Sequence, residues 1–350
     1  MNELVSATLG IVIGVILNDP LIRLRDSIIH WIKRFFLKRK RKKPYTGLFH
    51  FGNKESTWLI VDGDGEETYE QKNIFTYFDK DRVQLPPDLL EKQKEVEKEQ
   101  KENRKKGLPY HFNGESYKFD KFSLNRFSSE EALELHLWFR PTDYYTFLAT
   151  DMSLNEEKVR EKYFPNENWT QPEKYFANSF GVNLVVITKD EHIVLTKRSG
   201  LVGTNKGMYH ISVNEGLSRT FDRGVSTQAP DIYRAGIRGI VEELGAVDVE
   251  AKDISYLSLG VDTRFSQWGI LGKARISKTS EELKEWRSSG VKDKWENEEF
   301  FTIPLDLTDI VKFVADHDPW TPAGLTCLYH TLVSEFGREK VEKTIQKYLK

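Results

Sequence analysis

The sequence predicts an α+β protein in which an apolar N-terminal segment precedes two soluble lobes. Three observations carry that expectation. Residues 4–17 are uncharged and mostly apolar, and Lys and Arg crowd the stretch after them. Beyond Pro44, short alternating apolar runs broken by Gly-Asn and Asp-Gly turns are mixed with stretches of helical spacing, the pattern of an α+β chain. The composition is otherwise ordinary, with 39% hydrophobic and 30% charged residues over 350 positions and a net charge of −2. That excludes the compositionally extreme classes, and charge alone leads to no expected nucleic-acid partner. The single cysteine, Cys327, has no disulfide or CxxC partner, so a reducing compartment is expected and the core alone must hold the fold.

The N-terminal segment comes first. Its apolar run of about 14 residues is shorter than the roughly 20 of a usual span. Only Glu3 stands ahead of it and no A-x-A site follows, which speaks against a cleaved signal peptide. Lys33, Arg34 and the basic run 38–43 come after it, placing that side in the cytoplasm and the N-terminus outside. Between them, Asp19 and Pro20 suit a helix start, and Leu21, Ile28, Trp31 and Phe35 lie on a broad apolar surface. Such a helix either extends the span or lies among lipid headgroups; burial against the soluble part is the competing reading. Residues 1–43 are therefore expected to contact membrane lipid as a single-pass anchor, with the soluble domains in the cytoplasm. Gly10 and Gly14 have the G-x-x-x-G spacing through which two such helices associate, so a homo-oligomer is one expectation.

Residues 44–175 read as a small α+β lobe. "YTGLFHFGNKESTWLIVDGDGEETYE" alternates aromatic and β-branched residues with turns, as strands and hairpins do. "PPDLLEKQKEVEKEQKENRKKGLP" has prolines at its start, Gly107 at its stop and Glu97 four places before Lys101, which predicts an exposed, charge-solvated helix. In "LELHLWFRPTDYYTFLATD", Leu133, Leu135, Leu137 and Phe139 alternate as in a half-buried strand, with Pro141 as its expected end.

The chemistry is expected in residues 176–312. "GVNLVVITKDEHIVLTKRS" is two apolar runs around Lys189, Asp190 and Glu191, a β-hairpin. "MYHISVNEGLSRTFDRG" ends a short strand at a glycine turn, and "APDIYRAGIRGIVEELGA" is helical in spacing, with Pro230 and Asp231 at its start and Gly245 at its cap.

Hairpin, glycine turn and the helix AGIRGIVEELG together resemble the Nudix hydrolase superfamily, whose pattern is G-x5-E-x7-R-E-U-x-E-E-x-G-U with U a bulky aliphatic residue. Gly224, Arg238, Glu242, Glu243 and Gly245 fall on matching positions, whereas Gly239 replaces the glutamate after the arginine, Pro230 stands at the first glutamate, and Ala246 is smaller than the aliphatic residue. The resemblance implies a Nudix α/β/α sandwich over residues 176–312, a nucleotide-type small molecule as partner, and Mg2+, or alternatively Mn2+, as cofactor.

Magnesium takes oxygen ligands and is held by a few carboxylates together with substrate phosphates. A glutamate at position 239 would share a helical face with Glu242 and Glu243; with Gly239 that face keeps two carboxylates. Glu242 and Glu243 are the implied metal ligands, and Glu215 in "SVNEGLS" ranks first as the acid that compensates, as ligand or base. Asp222 and Asp231 follow, while Glu296, Glu298 and Glu299 in "WENEEFF" read as edge charges. Arg238, four residues before Glu242, is expected to orient it by an ion pair. Glu215, Arg238 and Glu243 are thus the expected catalytic set, against the competing reading of a vestigial box on an ordinary amphipathic helix.

Residues 313–350 read as two helices separated at Gly337, the first capped by Thr321 with Pro322 in its opening turn, covering the sheet. Trp320 and Tyr329 are expected in the core rather than stacked on a base, and His317 and His330 are too isolated for a metal site. The leading functional expectation is hydrolysis of a nucleoside diphosphate linked to another moiety, by metal-assisted attack of water. The alternative is an impaired Nudix domain that senses a nucleotide and signals to the membrane segment; a third is a scaffold with neither ligand nor activity.

Overall fold

The computed structural model describes residues 48–125, 133–165, 168–200, 204–246, 248–290 and 297–349. The apolar run, the basic cluster, the Asp19 cap and the Gly10/Gly14 spacing lie outside the described residues, and with them the lipid contact and the helix-to-helix association. The membrane location is corrected: among the described residues no helix is long and apolar enough to cross a membrane. The longest described helix, Pro87–Lys105, is dominated by Glu and Lys.

The architecture is mixed α+β. Strands β1 (Phe49–Phe51) and β2 (Lys54–Ser56) pair as a hairpin, and β3 (Trp58–Asp62) leaves them to join the edge of a large sheet. Next come β4 (Ile74–Phe78), the charged helix α1 (Pro87–Lys105), β5 (Glu115–Asn125), β6 (Glu134–Asp143) and the short helices α2 (Tyr144–Ala149) and α3 (Glu157–Tyr163). Helix α1 has Pro at its first turn and the Lys101–Glu97 pair at 2.5 Å, as its spacing predicts.

Strand β6 runs through Pro141, where its end was expected. Pairing with β4 stops at Phe139, so beyond it β6 has only β5 as neighbour, and Pro141 sits opposite Tyr117. A proline is tolerated where a strand has one free side. The strand ends instead where Asp143 caps α2, accepting a hydrogen bond from the Thr146 N–H at 2.8 Å.

The remaining strands are β7 (Phe180–Ile187), β8 (His192–Arg198), β9 (Tyr209–Ile211), β10 (Val213–Gly216), β11 (Ile254–Asp262), β12 (Gln267–Arg275) and β13 (Asn297–Pro304). They form, with β3, an eight-stranded sheet of order β13-β8-β7-β12-β11-β3, with β9 on β8 and β10 on β7. The predicted hairpin is present as β7–β8, and β7 also runs parallel to β12. Helices α4 (Ile232–Leu244) and α5 (Ser280–Gly290) lie between these strands in sequence, and α6 (Leu307–Asp316), α7 (Pro322–Phe336) and α8 (Arg338–Tyr348) follow them.

Alternation along β7 separates two cores. Val182, Leu184 and Val186 pack with Ile232, Ala235 and Ile240 of α4, while Val185 and Ile187 pack with Leu325, Leu328 and Leu332 of α7. Each such Val, Leu or Ile side chain taken fully from water contributes about 1.5–3 kcal/mol. Phe49, Phe51 and Trp58 from the start of the described chain belong to the α7 core. Residues 47–350 accordingly form one compact unit, which takes in the expected segments 176–312 and 313–350 and, from residue 47 on, the segment 44–175.

The C-terminal helices follow their capping signals. Thr321 accepts from Gly324 N–H, and the chain breaks at Gly337. Trp320 and Tyr329 are buried in the α7 core. His330 is bound to Ser258 Oγ at 2.7 Å and His317 stacks on Phe313. Cys327 is buried, and burial pushes its thiol up to about 12, which leaves it unreactive at neutral pH.

Candidate functional site

Helix α4 begins where Asp231 accepts hydrogen bonds from the N–H groups of Tyr233 and Arg234, both at 3.0 Å. It ends at Gly245, whose φ of 74° is the left-handed conformation of a C-terminal cap. Asp231, considered above as a compensating acid, is thus engaged as the helix cap. Pro230 forms a bridge with Arg223 that closes the loop ahead of the helix.

Arg238 gathers the acids. Its Nε and Nη2 donate to the two oxygens of Asp222 at 2.9 and 2.8 Å, and Nη2 also donates to the Gly216 carbonyl at 3.0 Å. Nη1 lies 2.7 Å from Glu215 and 3.1 Å from Glu242. Asp222 is fully buried and also accepts from the Ser218 N–H. Burial alone would lower the guanidinium, but the Asp222 bonds and the Glu215 charge hold Arg238 above its ordinary value. The arginine therefore does more than orient Glu242: it ties helix α4 to β10 and to the loop after it.

Glu215 lies on strand β10, opposite Val182 of β7, rather than on a loop. Its side chain is 20% exposed. Burial pushes its carboxyl up to about 7, against the opposing pull of Arg238 and with the charges of Glu242 and Asp222 adding to the rise. A carboxyl that changes charge near neutral pH suits proton transfer.

Gly239 is explained by packing. A Cβ there would stand 2.5 Å from Val213 Cγ1 and 3.2 Å from Glu215 Cβ, so β10 fills the space a side chain at this position would need.

The remaining expected residues are elsewhere. Glu243 is buried and accepts from the Asn214 N–H at 3.0 Å, which holds β10 against the helix, and buried Arg287 is close enough to be influenced by its charge. Glu298 accepts from Gly200 N–H and Glu299 pairs with Lys197 at 2.8 Å, as edge charges do; Glu296 lies outside the described residues. Asp222 carries more of the site than its rank suggested. It stands 16 positions from Arg238, a separation with no periodic signature.

The donors do not fit a divalent ion as arranged. Two carboxylates with substrate phosphates are an ordinary magnesium arrangement, but the point on which Glu215 and Glu242 converge is taken by Nη1 of Arg238. Glu243 is turned to a backbone N–H. Among the described residues no group of three or more His, Cys, Asp or Glu side chains is placed to hold a metal ion.

The first lobe supports this site. Ser116 Oγ donates to the Leu217 carbonyl at 3.0 Å and Tyr117 OH to that of Gln228 at 2.8 Å, holding both ends of the loop before α4. Phe221 on that loop is exposed, with the Arg238 guanidinium 5.7 Å from its ring centre.

No family model matches the chain. Over 110 residues it is 27% identical to a uridine diphosphate glucose pyrophosphatase, NUDT22, from Mus musculus, covering 31% of this chain. The chain thus spans about a third of the length of that curated relative, 34%. Among solved structures, a MutT protein from Methanosarcina mazei overlaps 49% of this chain and 96% of its own at 13% identity and a TM-score of 0.27. A bifunctional NMN adenylyltransferase/ADP ribose pyrophosphatase from Francisella tularensis, complexed with AMP and a Mn ion, overlaps 55% of this chain and 49% of its own at 15% identity and a TM-score of 0.31. At scores this low the structural overlaps carry no conclusion.

Proposed function

We propose that the chain is a divergent member of the Nudix superfamily and that it hydrolyses a nucleoside diphosphate linked to a second group, at the Glu215–Arg238–Asp222–Glu242 cluster. The substrate class comes from the likeness to the uridine diphosphate glucose pyrophosphatase. The observation that carries the reading is the Glu215 carboxyl, held near neutrality beside the Arg238 guanidinium.

In this reading ionised Glu215 takes a proton from water as the water oxygen bonds to a phosphorus of the diphosphate. The bridging P–O bond breaks, and the electron pair leaves with the departing phosphate. Arg238 fixes Glu215 and Glu242 relative to each other, and Glu243 holds β10 in register. General-base catalysis of this kind contributes about 10²–10⁴-fold.

A second reading has a specific observation behind it. Gly239 and the filled space beside it leave no third carboxylate, which suits a domain that binds a nucleotide without cleaving it. One experiment separates the two: the full chain is assayed against UDP-glucose and ADP-ribose with Mg2+, with Mn2+, and with chelator. Turnover that falls at least a hundredfold in a folded Glu215→Gln variant supports the hydrolase. Saturable binding with no turnover supports the sensor, and neither binding nor turnover overturns both.

A further inference from the structure

Lys118, in the middle of β5, is 2% exposed. Its Nζ donates to the Glu173 and Phe176 carbonyls at 3.1 and 2.8 Å. Among the described residues no carboxylate pairs with it at contact, and its third N–H has no protein acceptor. Burial pushes the ammonium down to about 8, against the more distant attraction of Asp120, Asp151 and Glu173 and with Arg140 opposing the charge. A buried cation lacking a contact counter-ion is costly, so the location of this one needs a reason.

The same residue lines a cleft of about 480 Å3, a size within the range of small-molecule sites. Exposed Arg82, Gln84 and Leu90 stand among its lining residues, and buried Thr142 and Thr146 add hydroxyls. Leu85, Pro141 and Phe176 give it apolar walls. Arg82 already has an answer to its charge in Asp143, and it donates to Thr146 Oγ1 at 3.1 Å. The cation without such an answer is the buried one.

We propose that this cleft binds a small organic anion, a carboxylate or phosphate monoester on an apolar body, with its acid group on Lys118 Nζ and its body against Leu85, Pro141 and Phe176. The site is separate from Glu215 and Arg238, and the proposal does not depend on the hydrolase reading. An anion there would supply the missing counter-ion and the missing acceptor together.

Calorimetric titration of the full chain at pH 7 with phenyl phosphate, benzoate and neutral benzyl alcohol tests it. Saturable binding of at least one anion, at least tenfold tighter than benzyl alcohol, is expected; which anion binds tells phosphate monoester from carboxylate. Lys118→Met should weaken binding at least tenfold. Because that change also removes two bonds to backbone carbonyls, Leu90→Trp is the second variant: it crowds the cleft from an exposed helix position and leaves Lys118 intact, and it should weaken binding equally with an unchanged melting temperature. No anion binding up to millimolar concentration, equal binding of benzyl alcohol, or full anion affinity in a folded Leu90→Trp protein would overturn the proposal.

Discussion

At Gly239 two opposing effects have comparable size. Replacing a helical glycine by alanine gains about 1 kcal/mol in propensity, whereas overpacking costs about 1–3 kcal/mol. With a Cβ only 2.5 Å from a branched side chain on a paired strand, the clash should win. Gly239→Ala is expected to lower the melting temperature, and Gly239→Glu to lower it further and to reduce turnover, since the new carboxylate must displace Val213 or Glu215. A Gly239→Glu protein that melts normally and turns over faster would reverse this account. Glu215 gives a pH prediction. Its folded pKa, about 7, lies above the ordinary 4.5, so its stabilising share is full below about pH 4.5 and is lost as pH rises through about 7. Urea midpoints of Glu215→Gln relative to the parent should therefore shift in the variant's favour between pH 5 and 8; a difference independent of pH would show Glu215 titrating normally. Glu215 was legible as a candidate because it precedes the helix, but the reason for Gly239 was not. That reason lies in which strand touches the helix, and spacing within one segment carries no record of it.

Helix α4 was legible at both ends, because capping is local: Asp231 and Gly245 act through bonds to residues within a turn. Asp231→Ala should cost about 1 kcal/mol, measured by urea unfolding, while Asp231→Asn should retain most of the cap. Arg238 should matter more, since it joins three elements. Arg238→Met leaves the fully buried Asp222 without its cation, and breaking such a buried pair costs about 3–5 kcal/mol. An Arg238→Met protein as stable as the parent would mean that the Ser218 N–H alone suffices for Asp222. The strand β10 was less legible: "VNEG" is short, and its place beside β7 depends on a partner some 30 residues earlier. Pro141 misled for a related reason, because whether a proline ends a strand depends on which side is paired.

Over the whole molecule, the mixed α+β class and the two C-terminal helices follow from local patterns, but the sheet gathers strands from distant parts of the chain. Trp58 pairs with Asp262 in register, and Phe49 and Phe51 pack under α7. A fragment of residues 176–350 lacks these partners and exposes one edge of β11. It is expected to lose cooperative thermal unfolding and amide dispersion in proton–nitrogen spectra; a fragment that melts as sharply as the full chain would show the first lobe to be dispensable. The N-terminal apolar run lies outside the described residues, and among those described no helix is long and apolar enough to cross a membrane.

The pairing of β3 with β11 also sets an order on the ribosome. Trp58 emerges roughly 200 residues before its register partner, an interval of about 10–40 s at about 5–20 residues per second. During that time Phe49, Phe51 and Trp58 have neither the strand nor the helix that later encloses them. Until β11 and α7 have been made, these three aromatic residues have no burial site to enter.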